Sequence, residues 1–105
     1  MGIVYVYYFV KILDAEYDED WIDWAEIDTR LFEVTKMARR KFSERKPLLE
    51  LDNLSGGLAE VFLSFFSFWT DDEADIKEIY EKEIPKLLLE NAQIEVEQID
   101  HVGVY

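Results

Sequence analysis

LAEVFLSFFSFW, residues Leu58 to Trp69, is the stretch from which the fold is read. Between Val61 and Trp69 only Ser64 and Ser67 are not apolar, so in an extended segment the side chains of both faces seek to leave water. A strand with two dry faces needs a covering layer on each side. How many layers the chain supplies is decided by what flanks this segment.

Immediately upstream, Ser55-Gly56-Gly57 provides a turn, and Leu48 to Leu54 (LLELDNL) reads as a short, half-polar strand. Residues 3–13, IVYVYYFVKIL, are β-branched and aromatic and read as a first strand. One face of that strand carries Val4, Val6, Tyr8, Val10 and Ile12, and the other carries Tyr5, Tyr7, Phe9 and Lys11. Between these strands a helix is predicted over Asp20 to Ser43, with Trp24, Ile27, Leu31, Val34, Ala38 and Phe42 as its inward stripe. Asp18, Glu19, Asp20 and Asp23 suit its positive end, and Arg39, Arg40, Lys41, Arg45 and Lys46 its negative end, before Pro47 stops it.

Downstream, Thr70-Asp71-Asp72-Glu73 fits a capping box, and a second helix follows with Ile76, Ile79, Tyr80 and Ile84 inward. Pro85 is expected to break or kink it, leaving a short separate turn of helix over Pro85 to Asn91. Gln93 to Tyr105 reads as a last strand, alternating apolar and acidic at its start.

The order β-α-β-β-α-β, within one α+β domain over residues 1–105, is the ferredoxin-like split βαβ pattern: a four-stranded antiparallel sheet with both helices on one face. The first and third strands take its centre and the acid-bearing second and fourth its edges. With Val4, Val6, Val10, Val61, Leu63 and Phe65 under the helices, the second face presents Tyr5, Tyr7, Phe9, Phe62, Ser64, Phe66 and Phe68. Such a patch exceeds the ~300–600 Å² of an ordinary monomer surface. The expected cover is a second copy related by a two-fold axis, packing the aromatic faces against each other as a homodimer.

Composition narrows the function. Half the residues are apolar and 15% aromatic, too rich for a disordered chain. The net charge of −13 repels nucleic acid and anionic membranes, so direct binding to either is not expected. The apolar start reaches Lys11 too soon to cross a bilayer and has no basic leader, and Val6 stands where a myristoylation signal has Ser or Thr, so a cytoplasmic protein is expected. The absence of cysteine removes disulfides and thiolate chemistry. With a single histidine, His101, a conventional zinc site is not expected, and no cofactor is implied.

Order, length and expected dimer resemble the dimeric α+β barrel superfamily, and within it the antibiotic biosynthesis monooxygenase-like group. Trp69-Thr70-Asp71-Asp72-Glu73-Ala74 is similar to the W-x-[ST/D]-x-E-A sequence with which members of that group end the third strand. Where many members carry a histidine four residues after the alanine, this chain has Glu78, so histidine-dependent chemistry, including haem degradation, does not carry over. The resemblance implies binding of a hydrophobic or aromatic small molecule, or cofactor-independent oxygenation of one.

Tyr5, Tyr7, Phe9, Phe62, Ser64, Phe66 and Phe68 are therefore the candidate ligand-binding residues, with His101 and Glu95 or Glu97 expected at the rim. The alternative for the same residues is a dry dimer core in which the tyrosines bond one another. Tyr7 and His101 are the candidates for proton transfer, His101 being equally readable as a surface or dimer contact. Asp14, Glu16, Asp18 and Asp20 imitate the start of a calcium loop, but Glu19 and Ala25 stand where it needs glycine and glutamate. A second class of function comes from charge. Eight carboxylates and no base lie between Asp14 and Asp28, and seven against Lys77 and Lys82 between Asp71 and Glu83. Such a surface could imitate DNA, as phage-encoded inhibitors of host defence do, and bind a basic nucleic-acid-processing enzyme, with Trp21 and Trp24 as contacts; otherwise it only solubilises.

Overall fold

A computed structural model of the chain describes residues 2–15, 22–68 and 73–104. Its strands are β1 (Gly2–Ile12), β2 (Leu48–Ser55), β3 (Leu58–Ser67) and β4 (Ile94–Val104), and its long helix is α1 (Trp24–Lys41). All pairings are antiparallel and the order across the sheet is β2-β3-β1-β4, so the two strands with dry faces are central. This is the ferredoxin-like arrangement, with the helices on one side.

Alternation in the central strands sorts their side chains cleanly. Val4, Val6, Tyr8, Val10 and Ile12 of β1 and Ala59, Val61, Leu63 and Phe65 of β3 are all buried beneath the helices. Ile27, Leu31, Val34 and Ala38 of α1 meet them. Each fully buried Val, Leu, Ile or Phe is worth roughly 1.5–3 kcal/mol, so this layer carries the fold. Thr35 is a polar member of the layer, as is Ser67, and the Thr35 hydroxyl accepts the Leu49 amide at 3.1 Å, tying α1 to β2.

The helix begins later than its charge pattern implied, with Asp23 as N-cap accepting the Ala25 amide at 3.3 Å. Trp24 is consequently not a core residue. It sits in the first turn, ahead of the buried stripe that opens at Ile27, and is 46% exposed. Trp21, most of the acidic run before α1, Trp69 and the Thr70 cap lie outside the described residues.

The break or kink expected at Pro85 takes the form of a change in winding, after which a short separate helix opens. Helix α2 (Glu73–Glu78) runs through a π-helical turn, Ile79–Glu83, into α3 (Ile84–Ala92), where Pro85 occupies the first turn. The Ile84 amide donates to the Ile79 carbonyl, five residues back. Widening one turn in this way lets a helix carry a residue that lacks an N–H. The Tyr80 carbonyl is left without a helical donor, because the amide four residues on is diverted and Pro85, five on, has none. Tyr8, fully buried on β1, donates its hydroxyl to that carbonyl at 2.5 Å.

Each edge strand is irregular. An extra residue is inserted at Asp52 of β2 and at Glu97 and Val102 of β4, as the shifts in register show.

Candidate functional site

The second face of the sheet has no cover among the described residues. Tyr5, Tyr7, Phe9, Phe62, Ser64, Phe66 and Phe68 are each half-buried, against near-complete burial of their sequence neighbours on the helix side. Register explains the grouping: Tyr7 faces Phe62, Tyr5 faces Ser64, Ile3 faces Phe66, and Phe9 faces Glu60. Directly paired residues share a face, so the candidates form one continuous surface. At its middle, the rings of Tyr5 and Phe62 stack at 5.3 Å and those of Tyr7 and Phe62 meet at 4.9 Å, tilted by 54°. Aromatic pairs in such geometry add to burial and hold the rings in fixed positions.

The two ends of this face differ. At one end the Lys46 ammonium lies 5.5 Å from the Phe66 ring centre and the Arg45 guanidinium 5.5 Å from that of Phe68. Arg45 is anchored there by its backbone, whose carbonyl accepts the Phe66 amide at 2.7 Å. Lys46 adopts a left-handed backbone, φ 47°, between the end of α1 and Pro47. At the other end, next to the Gly56 turn with its φ of 61°, a recess of about 260 Å³ opens among Phe9, Asn53, Leu58, Glu60 and Glu97. Among the candidate residues Tyr5, Tyr7 and Phe62 pack side by side, and the hollow lies one end along, beside Phe9.

His101 is the correction. It pairs with Val6, so it belongs to the helix side of the sheet, and its ring stacks on Tyr80 at 5.6 Å. The inserted residue Glu97 shifts the register of β4 ahead of His101, which is why simple alternation from Glu95 put His101 on the wrong face. Tyr7, paired with Asp100, lies on the opposite face, so these two candidates for proton transfer are not brought together. Glu95, opposite Lys11, and Glu97, in the recess, do reach the aromatic face.

On the helix side, Tyr8 serves structure. Burial, with a smaller contribution from Tyr80, pushes its phenol well above the usual range, so it remains a hydrogen-bond donor at any ordinary pH. Two ion pairs fasten the helices. Arg30 grips both oxygens of Asp14 at 2.8 Å, bonds Glu26 at 2.8 Å and donates to the Ala92 carbonyl at 3.2 Å. The hydrogen bond from Arg30 holds the Asp14 carboxyl below its ordinary range, and Lys41 does the same for Glu83. No cluster of acids or histidine suited to a metal ion occurs among the described residues. None of their helices is long and apolar enough to cross a membrane.

Sequence reading missed Lys46 and Arg45 as part of this face. They fit the negative end of α1 so well that the local electrostatic explanation looked sufficient. It also missed the Tyr8–Tyr80 bond, for which the signals were a tyrosine on an otherwise aliphatic strand face and a proline inside a helical pattern.

No family model matches the chain, and neither does any curated protein. Among solved structures, it is similar to a structural-genomics protein described as protein YJCS, at 15% identity and a TM-score of 0.53, with 98% of this chain and 99% of that one covered. It is also similar to the solution structure of a de novo designed protein with ferredoxin fold, at 15% identity and a TM-score of 0.51, with 98% of this chain and 89% of that one covered. At that identity the likeness establishes the fold and nothing more. A fold that can be reached by design assigns no activity by itself.

Proposed function

We propose that the chain acts as a homodimer joined through its aromatic sheet faces, holding a hydrophobic or aromatic small molecule between them. The observation that carries this reading is the half-buried surface built on Tyr5, Tyr7 and Phe62, an ordered aromatic layer left open to water. Its size agrees. Four strands ~4.8 Å apart and about ten residues long at ~3.3 Å offer on the order of 600 Å² per copy before side-chain relief, near the ~800 Å² per partner of a stable interface. The recess beside Phe9 and Leu58 is open on this face, and a second copy laid over it would close it into a chamber with an apolar floor and a rim of Glu60 and Glu97.

The reading stops at binding. Oxygenation of an aromatic ligand, as the family resemblance implies, would need a proton-handling group, and Tyr7 and His101 stand on opposite faces of the sheet. The acidic-inhibitor alternative rests on charge alone: of its two acidic runs, Asp14, Glu26 and Glu83 are tied to Arg30 and Lys41.

Sedimentation equilibrium combined with titration of an aromatic probe such as anilinonaphthalene sulfonate tests the proposal. A dimer with saturable probe binding that Phe62→Ser abolishes is the expected result. A monomer at every concentration with no saturable binding overturns it.

A further inference from the structure

We infer that the dimer has a defined direction: the two copies cross with their strands antiparallel, so that Lys46 of each faces Glu60 at the acidic rim of the other's recess. This rests on the face-to-face dimer proposed above and adds its geometry. Only two simple axes lie in the plane between two facing sheets. An axis along the strands lays like ends of the face together, and an axis across them lays opposite ends together.

The two ends of the face carry opposite charge, with Glu50 beside Phe62 and Asp100 beside Tyr7 between them; these two lie near a carboxylate of the second copy about either axis and do not distinguish the two. Lys46 and Arg45 flank Phe66 and Phe68 at one end. Glu60 and Glu97 line the recess at the other, against a single Lys11. None of Lys46, Glu60 or Glu97 is in an ion pair among the described residues, although Arg30, Lys36 and Lys41 all are. Like charges brought face to face are strongly disfavoured, whereas opposite charges fix register. The axis across the strands is therefore selected.

The spacing is consistent with this choice. Phe66 and Glu60 lie on one strand, six positions or about 20 Å apart, and point to the same face. The midpoint falls at Leu63, between the outward-facing Phe62 and Ser64, and opposite Tyr5 and Tyr7 on β1. A two-fold axis there sets the aromatic cluster against its own copy and, in the same operation, sets Lys46 over Glu60. The left-handed backbone of Lys46 fits this role, since an uncommon conformation in a non-glycine residue is kept where the surroundings fix it. It holds the ammonium over the Phe66 ring, on the dimer face.

The test is the dissociation constant of the full-length dimer for Lys46→Glu, Glu60→Lys and the double variant. Lys46→Glu and Glu60→Lys each place two like-charged pairs in the interface and should weaken the dimer at least tenfold. The double variant should return to within about threefold of the parent. If the axis ran along the strands, each single change would merely replace one like pair by another, and both constants would stay near the parent value; that result overturns the inference while leaving the dimer intact. A parent chain that never dimerises instead overturns the functional proposal beneath it. Should Lys46→Glu fail to fold, Lys46→Gly removes the charge where glycine accepts the positive φ, and a smaller but measurable weakening is then expected.

Discussion

The two faces of the sheet are made by the same two central strands, residue by alternate residue, yet they follow different chemistry. The helix side is aliphatic, with Val4, Val6, Val10, Val61 and Leu63 sealed from water and one phenol, Tyr8, spent on a single carbonyl. The other side is aromatic, half-open and bordered by charge. Aliphatic side chains interlock densely and tolerate no gap, which suits a permanent core. Aromatic rings with polar edges sit well in a surface that is sometimes wet and sometimes covered. The difference separates what folds the chain from what, on the function proposed above, it offers to a partner and a ligand.

Substitutions can break that separation or sharpen it, and the largest effect belongs to the sealed side. Leu63→Ala should cost about 2–5 kcal/mol in denaturant unfolding, because the cavity it leaves lies between the sheet and the helices. Phe62→Ser, its neighbour on the other face, should lower the stability of the isolated protomer far less while weakening dimerisation by tenfold or more, tenfold being about 1.4 kcal/mol. If the two changes act alike in both measurements, the division of labour between the faces is wrong.

Next in size is Tyr8→Phe, which strands the Tyr80 carbonyl and should cost about 1–3 kcal/mol. Pro85→Ala restores an amide within reach of that carbonyl, so Tyr8→Phe should cost less in the Pro85→Ala background. Thermal unfolding of the four proteins of this cycle measures the coupling.

The smallest effect concerns the ion pair that closes the helix side. The Asp14 carboxyl is half exposed, so Asp14→Asn should cost under about 1 kcal/mol at neutral pH. Arg30 holds its folded pKa below the unfolded value of about 3.9. The stabilisation is therefore complete above that value and is lost as pH falls through the folded one. The difference between parent and variant should disappear in strongly acidic solution, as chemical unfolding at a series of pH values would show.

Much of the fold was legible because strand alternation and the helical stripe each recur several times, and every repeat votes the same way. Val4 to Ile12 and Ile27 to Ala38 landed on the expected faces for that reason. The misreadings fall where one residue changes the count. Glu97 alone reverses His101, while at Pro85 the expected break or kink takes the form of a wider turn, because a π turn needs one residue more rather than a new cap. The aromatic face was legible residue by residue. Its polarity was not, since Lys46 and Glu60 are far apart in sequence and meet the same surface only once β3 lies between β2 and β1.

The insertions at Asp52, Glu97 and Val102 have a bearing on the life of the newly made chain. If it assembles as proposed, a protomer that has not yet met its partner carries an aromatic sheet face and two strand edges left uncovered by the described residues. Edges are the route to runaway polymerisation, since one sheet can extend another without limit. Here both edges are interrupted by an extra residue, and in two of the three places that residue is a carboxylate. Growth through the edges is obstructed while the broad face stays available. On the dimer proposed above, self-association is thereby steered toward a contact that closes after two copies, and a sticky surface becomes safe to keep exposed.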